Sequence, residues 1–334
     1  MFSKKIGIDL GTSFVRLISN EIRDPIVERN ILIVNPVNEE IEFKGNEAYK
    51  IYGKENPDLK VIRPIKNGIL QENIYQKDLI ESHVKILNGK NRLFKSDFIV
   101  SVPLKLRESD RNSIASLLES LGASNNSVLI PEIILSAVGL RLPINKSSGV
   151  AIVNIGAGTT EIAVLSLGGV IVGDSIQYGG DDLDSLIIEN FRLSNIEIGK
   201  KTGENLKIKY GSAEVVDNTI FDEVKGKDIL TGKIVNFSFK RDLLRQALVP
   251  GLERIAEAIK QVLEKLPPEL ASDIIDNGLV ITGGTSNLHN LNFFLSEYLN
   301  VPVYRLDNPH YSCIQGLEYI INNNEVLNKN IYLK

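Results

Sequence analysis

The chain of 334 residues contains one cysteine, one methionine, three histidines and no tryptophan. A single thiol, Cys313, leaves no disulfide framework and no cysteine-ligated zinc cluster. His83, His289 and His310 are widely spaced and give no metal-ligand motif. Neither sign of charge dominates: 38 Lys and Arg stand against 42 Asp and Glu, a formal net charge of −4. That balance speaks against a dedicated nucleic-acid binder. No hydrophobic run reads as a membrane span. The longest apolar stretch, 149–173, contains Asn154, Glu161, paired threonines and several glycines, and a charge mid-span is expensive in hydrocarbon. It reads instead as three short strands, Val150–Asn154, Glu161–Leu165 and Val170–Val172. The start, Met1-Phe2-Ser3-Lys4-Lys5, runs straight into strand-like Ile6-Gly7-Ile8 without a secretory leader, so a cytoplasmic location is expected.

The remaining composition is that of a folded chain, 43% hydrophobic and 24% charged. At ~150 residues per domain the length predicts about two domains, each with its own core. The first half opens with a strand over Lys5–Asp9, a glycine turn and a returning strand over Phe14–Ser19. A polar insertion follows over 35–60, then a loop over 63–69. Helices are predicted over Tyr75–Leu87, Ser109–Leu121 and Glu132–Leu140, with strands at Asp97–Ser101 and Val128–Leu129. The second half repeats the opening. Val150–Asn154, a glycine turn and Glu161–Leu165 mirror Lys5–Asp9, a glycine turn and Phe14–Ser19, with a polar residue (Asp9, Asn154) ending each first strand. A helix over Asp181–Arg192, a mixed polar region over 195–240, a long helix over Leu243–Leu266 and a strand into Gly283-Gly284 complete the pattern. The duplication predicts an α/β fold of two similar lobes with a cleft between them.

Glycine turns between strands can point backbone N–H groups into a concavity that holds phosphate. Two facing turns could grip a polyphosphate from both sides. The candidates are Gly11-Thr12-Ser13 and Gly156-Ala157-Gly158-Thr159; either alone is as readily a plain hairpin turn. Asp9 at its strand end suits Mg²⁺ held through water, since that ion keeps several waters and takes few carboxylates. The chain has no P-loop and no dinucleotide fingerprint opening a helix.

These residues resemble the actin, sugar-kinase and heat-shock-chaperone ATPase superfamily, and within it the MreB family of bacterial actins. The resemblance runs through Ile6–Thr12, Ile62–Ile69, Ser101-Val102-Pro103, Gly156–Gly169, Gly199–Ala213 and Ile281–Gly284. It covers nearly the whole chain. It implies an actin-like fold, with a first lobe over 1–140 carrying a small insertion at about 33–74. The second lobe spans 141–334 with an insertion at about 181–242, its C-terminal helix free to pack back on the first lobe. It implies ATP or ADP with Mg²⁺ in the cleft. Gly11, Thr12 and Ser13 would cradle the terminal phosphates, Gly156, Ala157 and Gly158 the opposite side. Glu132 would orient the attacking water and Thr159 would sit near the γ-phosphate. Glu204 and Lys207 would close on the ribose and adenine, with Gly283 and Gly284 beside the adenosine. Taken alone, Glu132 is a first-turn helix residue, Glu204 and Lys207 a solvated surface pair, and Gly283-Gly284 an ordinary turn.

Three departures from the family pattern accompany the resemblance. Asn154 replaces the usual aspartate and supplies no charge to Mg²⁺. Phe14-Val15 replaces an Asn-Thr pair, and Ile133 follows Glu132 where a proline is usual. Hydrolysis is therefore expected to be slow. Arg16, two residues past Phe14, reads either as a source of phosphate charge or as a surface arginine. The loop 89–95 sets Leu93 and Phe94 among Lys90, Arg92 and Lys95. It reads either as core at a strand entrance or as a loop inserting into anionic membrane, with Met1-Phe2 as a second weak contact. The implied partners are further copies of the chain in paired protofilaments, the inner face of the cytoplasmic membrane with its anionic lipids, and cell-wall synthesis or shape proteins. Nucleic acid is not among them.

Overall fold

Two five-stranded sheets of the same order and direction form the framework of the computed structural model, which describes residues 4–22, 24–71, 73–89, 95–215, 219 and 221–323. In the first sheet, Lys5–Leu10 pairs antiparallel with Phe14–Ser19, which pairs antiparallel with Ile26–Arg29. On its other side Lys5–Leu10 pairs parallel with Asp97–Val102, and that strand with Val128–Pro131. The second sheet repeats this with Val150–Ile155 at its centre, Thr160–Ser166 and Gly169–Ile176 antiparallel on one side, Leu279–Thr282 and Val303–Arg305 parallel on the other. The central strands are buried along most of their length, because helices cover both faces of a sheet with parallel crossovers. That explains their near-continuous Ile and Val runs.

The duplication reaches single residues. Asp9 stands opposite Arg16 in the first hairpin, and Asn154 opposite Glu161 in the second. Both pairs are seven residues apart and both flank a glycine turn.

A small three-stranded sheet accompanies each large one: Leu32–Val34, Ile41–Lys44 and Lys60–Ile62 in the first half, Ile196–Glu197, Phe221–Asp228 and Ile234–Lys240 in the second. Helix Asp242–Leu263 buries Leu244, Leu248, Leu252, Ile255, Ile259 and Val262, a helical repeat facing the second sheet's core. It stops short of the expected Leu266 as the chain approaches Pro267-Pro268, since residues before proline avoid helical backbone.

Helix Ser312–Asn322 returns to the first sheet, where Leu317 and Ile321 lie against Gly7. It also crosses helix Glu132–Gly139 with backbones nearly touching. A Cβ at Gly316 would fall 1.9 Å from the Leu135 carbonyl, and one at Gly139 2.0 Å from that of Ser312. Side chains of both halves, Ile18, Ile99 and Ile133 with Ile152, Ala163 and Leu165, share the core beneath this crossing.

Candidate functional site

The two glycine turns close on each other from facing sheets. Gly11 N–H donates to the Phe14 carbonyl at 3.1 Å, and Gly156 N–H to the Thr159 carbonyl at 2.8 Å, which tightens each turn. At their nearest point a Cβ on Gly158 would lie 2.9 Å from Thr12 Oγ1 and from Asn67 Cα, so only a glycine lets the second turn approach so closely. Thr12 Oγ1 also accepts from the Gly68 N–H at 3.2 Å. Behind the turns opens a cleft of about 590 Å³ lined from both halves. All the expected nucleotide-side residues line it except Gly158, which is packed into the contact just described. Leu93 and Phe94, with Lys90 and Arg92 beside them and Met1-Phe2 at the start, lie outside the described residues.

At the floor, the strand ends present Asp9 and Asn154, and helix Glu132–Gly139 presents Glu132 from its first turn. Asp9 is buried and fully engaged: Oδ2 accepts from Arg16 at 2.9 Å, Oδ1 from the Ser101 hydroxyl at 2.9 Å and from the Cys313 thiol at 3.4 Å. Arg16 is thus no surface arginine; its side chain is 13% exposed, with the guanidinium 5.2 Å from the Phe14 ring centroid and 5.6 Å from that of Tyr311. Desolvation, and then the charges of Asp9 and Glu161, push Glu132 well above the usual carboxylate range, with an opposing hydrogen bond from Asn154. Burial raises Glu161 as well, against the backbone N–H groups of Leu104 and Ile133. Burial, then Asp9 and Glu132, push the Cys313 thiol up, so it stays protonated.

Ligand atoms of Asp9, Glu132 and Cys313 all lie within 4.8 Å of one another. Two converging carboxylates, one held toward its protonated form by burial and then by the other's charge, fit a hard divalent cation, which would relieve that crowding. The protonated thiol adds no anionic ligand.

The walls are tied by charge pairs. Arg29 donates to Ser13 Oγ and to Glu204, each at 3.0 Å, and stacks on Phe14 and Tyr49. The Tyr49 hydroxyl donates to the other Glu204 oxygen at 2.7 Å. Lys207 pairs with Asp184 at 2.8 Å and donates to the Gly180 carbonyl at 2.6 Å. Burial, only partly offset by Lys207, pushes Asp184 up to about 6. Glu204 and Lys207 therefore share a helix face without pairing with each other, and neither is a solvated surface residue. At Gly283, φ is +86° and a Cβ would strike the Ile155 carbonyl at 2.4 Å; at Gly284 a Cβ would meet nothing within 4 Å. Sequence reasoning missed Arg29, Ser101, Glu161, Asp181 and Asp184. Of these, only Glu161, placed like Arg16 in its hairpin, carried a signal in the repeat.

The MreB/Mbl protein family matches residues 3–329 in its sequence model. The chain belongs to this family. The cell shape-determining protein Mbl of Bacillus cereus is 31% identical over 330 residues, 98% of this chain and 99% of the relative. MreB of Escherichia coli is 32% identical over 317 residues, 92% and 90% of the two chains. Among solved structures, MreB 5 of Spiroplasma citri bound to AMPPNP superposes with a TM-score of 0.90 at 24% identity, covering 99% of this chain and 98% of its own. A MamK double helical filament superposes at 0.77 with 18% identity, over 96% and 99%. As in those MreB and MamK chains, the fold is actin-like, and the cleft described above lies between its two similar sheets.

Proposed function

We propose that this MreB-family chain binds ATP and ADP with Mg²⁺ in the cleft, hydrolyses ATP slowly, and assembles into membrane-attached filaments that direct cell shape and cell-wall synthesis. The observation that carries the reading is the approach of the two glycine turns, Gly11–Ser13 and Gly156–Gly158, over one cavity sized for a nucleotide. The Spiroplasma citri neighbour is bound to AMPPNP, and the MamK neighbour forms a double helical filament. Curated relatives are described as cell shape-determining.

In this reading the backbone of both turns binds phosphate, and Thr159 lies beside the γ-position. Glu132 orients the water that attacks in line. Mg²⁺ on the Asp9 and Glu132 side would neutralise charge developing on the phosphates. Asn154, neutral where its partner Glu132 is held protonated, offers little basicity at the floor, which favours slow turnover. Leu93 and Phe94 would touch the membrane, each subunit weakly, so that stable attachment comes from many copies in a filament. No described helix is long and apolar enough to cross a membrane.

Right-angle light scattering with negative-stain imaging, with and without ATP and anionic vesicles, tests this. ATP-dependent filaments on the vesicles support it; a protein that stays monomeric with ATP and lipid overturns it.

A further inference from the structure

We propose that Glu161 is a positioning residue for ATP hydrolysis, holding the cleft wall at Pro103 and the start of the Glu132 helix in place from the opposite sheet. The inference rests on the nucleotide reading above and concerns what fixes the groups that face the γ-phosphate.

Glu161 stands where Arg16 stands in the first hairpin, opposite the residue that ends the central strand. The two then diverge. Arg16 pairs with Asp9 inside its own hairpin, whereas Glu161 reaches across to the first half of the chain. Its Oε1 accepts from the Leu104 N–H at 2.6 Å. The Ile133 N–H, in the first turn of the helix that carries Glu132, acts on the same carboxyl, although Oε2 is buried without a complete hydrogen bond. Glu161 is also near enough to Glu132 for its charge to raise that carboxyl.

Glu161 is 1% exposed, on a strand buried along its whole length, and it is not among the residues lining the cleft. It can therefore serve the reaction only through the residues it holds. A carboxyl is an expensive choice there, because an apolar side chain of similar size would be buried without electrostatic cost. What the carboxyl supplies is an acceptor for backbone N–H groups on two segments that border the cleft. The first segment runs on from Ser101, which donates to Asp9 at 2.9 Å. Val102 and Pro103 line the cleft, and Leu104 makes the bond to Glu161. Lys105 then pairs with Asp174 at 2.6 Å, and a Cβ on Gly173 would lie 2.8 Å from Leu104 Cδ2. The end of a first-sheet strand is thus seated on the second-sheet hairpin. The Lys105–Asp174 pair is exposed, and such pairs contribute little, so Glu161 is the buried fixed point. The second segment carries Glu132 itself, and small displacements of a water-orienting group cost large factors in rate.

The test is single-turnover phosphate release, with calorimetric ATP affinity, for the full-length parent, Glu161→Met and Glu161→Gln. Methionine keeps the bulk and removes the acceptor, whereas glutamine keeps an acceptor oxygen for Leu104. Glu161→Met should slow release at least about tenfold, while its ATP affinity stays within about threefold of the parent's. Glu161→Gln should release phosphate within about threefold of the parent's rate, because the bond to Leu104 survives. A folded Glu161→Met protein with parental release overturns the proposal. So does one whose ATP affinity falls in step with release, or a Glu161→Gln protein as slow as Glu161→Met. If Glu161→Met does not fold, Glu161→Asp, shorter by a methylene, takes its place with the same expectations. A parent that binds ATP but releases no phosphate ends the hydrolysis reading, and this inference with it.

Discussion

Arg29 and Glu204, 175 residues apart in sequence, are joined at 3.0 Å between the wall beside the first glycine turn and the helix Lys200–Tyr210. The Tyr49 hydroxyl holds the second carboxylate oxygen, so one side chain of the second half ties down two of the first. Burial alone would raise the Glu204 carboxyl. The Tyr49 hydroxyl and the Arg29 guanidinium outweigh it and hold it below the usual range. A depressed carboxyl contributes stability above its unfolded value of ~4.3, lost as pH falls through the lower folded value. Glu204→Gln should therefore melt lower than the parent at neutral pH, by an amount reflecting about 2 kcal/mol of charge-assisted bonding. The gap should close below pH ~4. Calorimetric melting across pH 3–7, a range set by ordinary carboxylate titration, checks both; a pH-independent gap would show that the pair contributes shape and no charge.

Glu132 has the opposite sign. Burial, Asp9 and Glu161 raise it, so the nucleotide-free fold takes up a proton that the unfolded chain releases above ~4.3. Stability should then fall as pH rises from there toward the raised value. Glu132→Gln removes that loss, and its melting temperature should exceed the parent's by more at pH 8 than at pH 5. In single-turnover assays the same variant should abolish phosphate release while ATP affinity stays nearly intact, because water positioning acts in the transition state. Turnover surviving in Glu132→Gln would remove Glu132 from that role.

The lobes and their hairpins were legible in the sequence because a strand, a glycine turn and a returning strand recur, and periodicity is a local signal. The two glycine turns were legible for the same reason. The charge pairs were not. Arg29 meets Glu204 and Asp181 meets Arg63 across more than a hundred residues, and no spacing rule links positions joined only by the approach of two halves. Arg16 shows the limit well: its place opposite Asp9 follows from hairpin register, yet strand alternation alone could not tell a cleft-facing side chain from a surface one.

Asn154 donates to Glu132 where a carboxylate would repel it. Asn154→Asp should raise ATP turnover by placing a further carboxylate beside Mg²⁺; preorganised electrostatic groups are typically worth a few kcal/mol of barrier. The same change should lower the melting temperature of the metal-free protein, as a further carboxylate joins Asp9, Glu132 and Glu161. Phosphate release and melting with and without Mg²⁺ check the two halves. Unchanged turnover would make the amide neutral to catalysis.

Leu93 and Phe94 offer roughly 3–6 kcal/mol if fully buried, and each basic neighbour about 1 kcal/mol on anionic lipid. Leu93→Ser with Phe94→Ser should abolish pelleting of filaments with anionic liposomes while assembly in solution survives. Loss of cooperative melting would instead place the pair in the core, and parental pelleting would show that the anchor lies elsewhere.

Occupation of the cleft by nucleotide is the claim on which the rest depends, and Gly284 allows it to be tested with little disturbance of the fold. It lines the cavity, and a side chain added there meets nothing within 4 Å. Titration calorimetry of Mg-ATP into the parent and into Gly284→Phe is the direct measurement. The parent should bind one ATP per chain, and Gly284→Phe should lose binding while melting as the parent does without nucleotide. A parent that takes up no ATP, or a folded Gly284→Phe that binds it as tightly, would contradict the account.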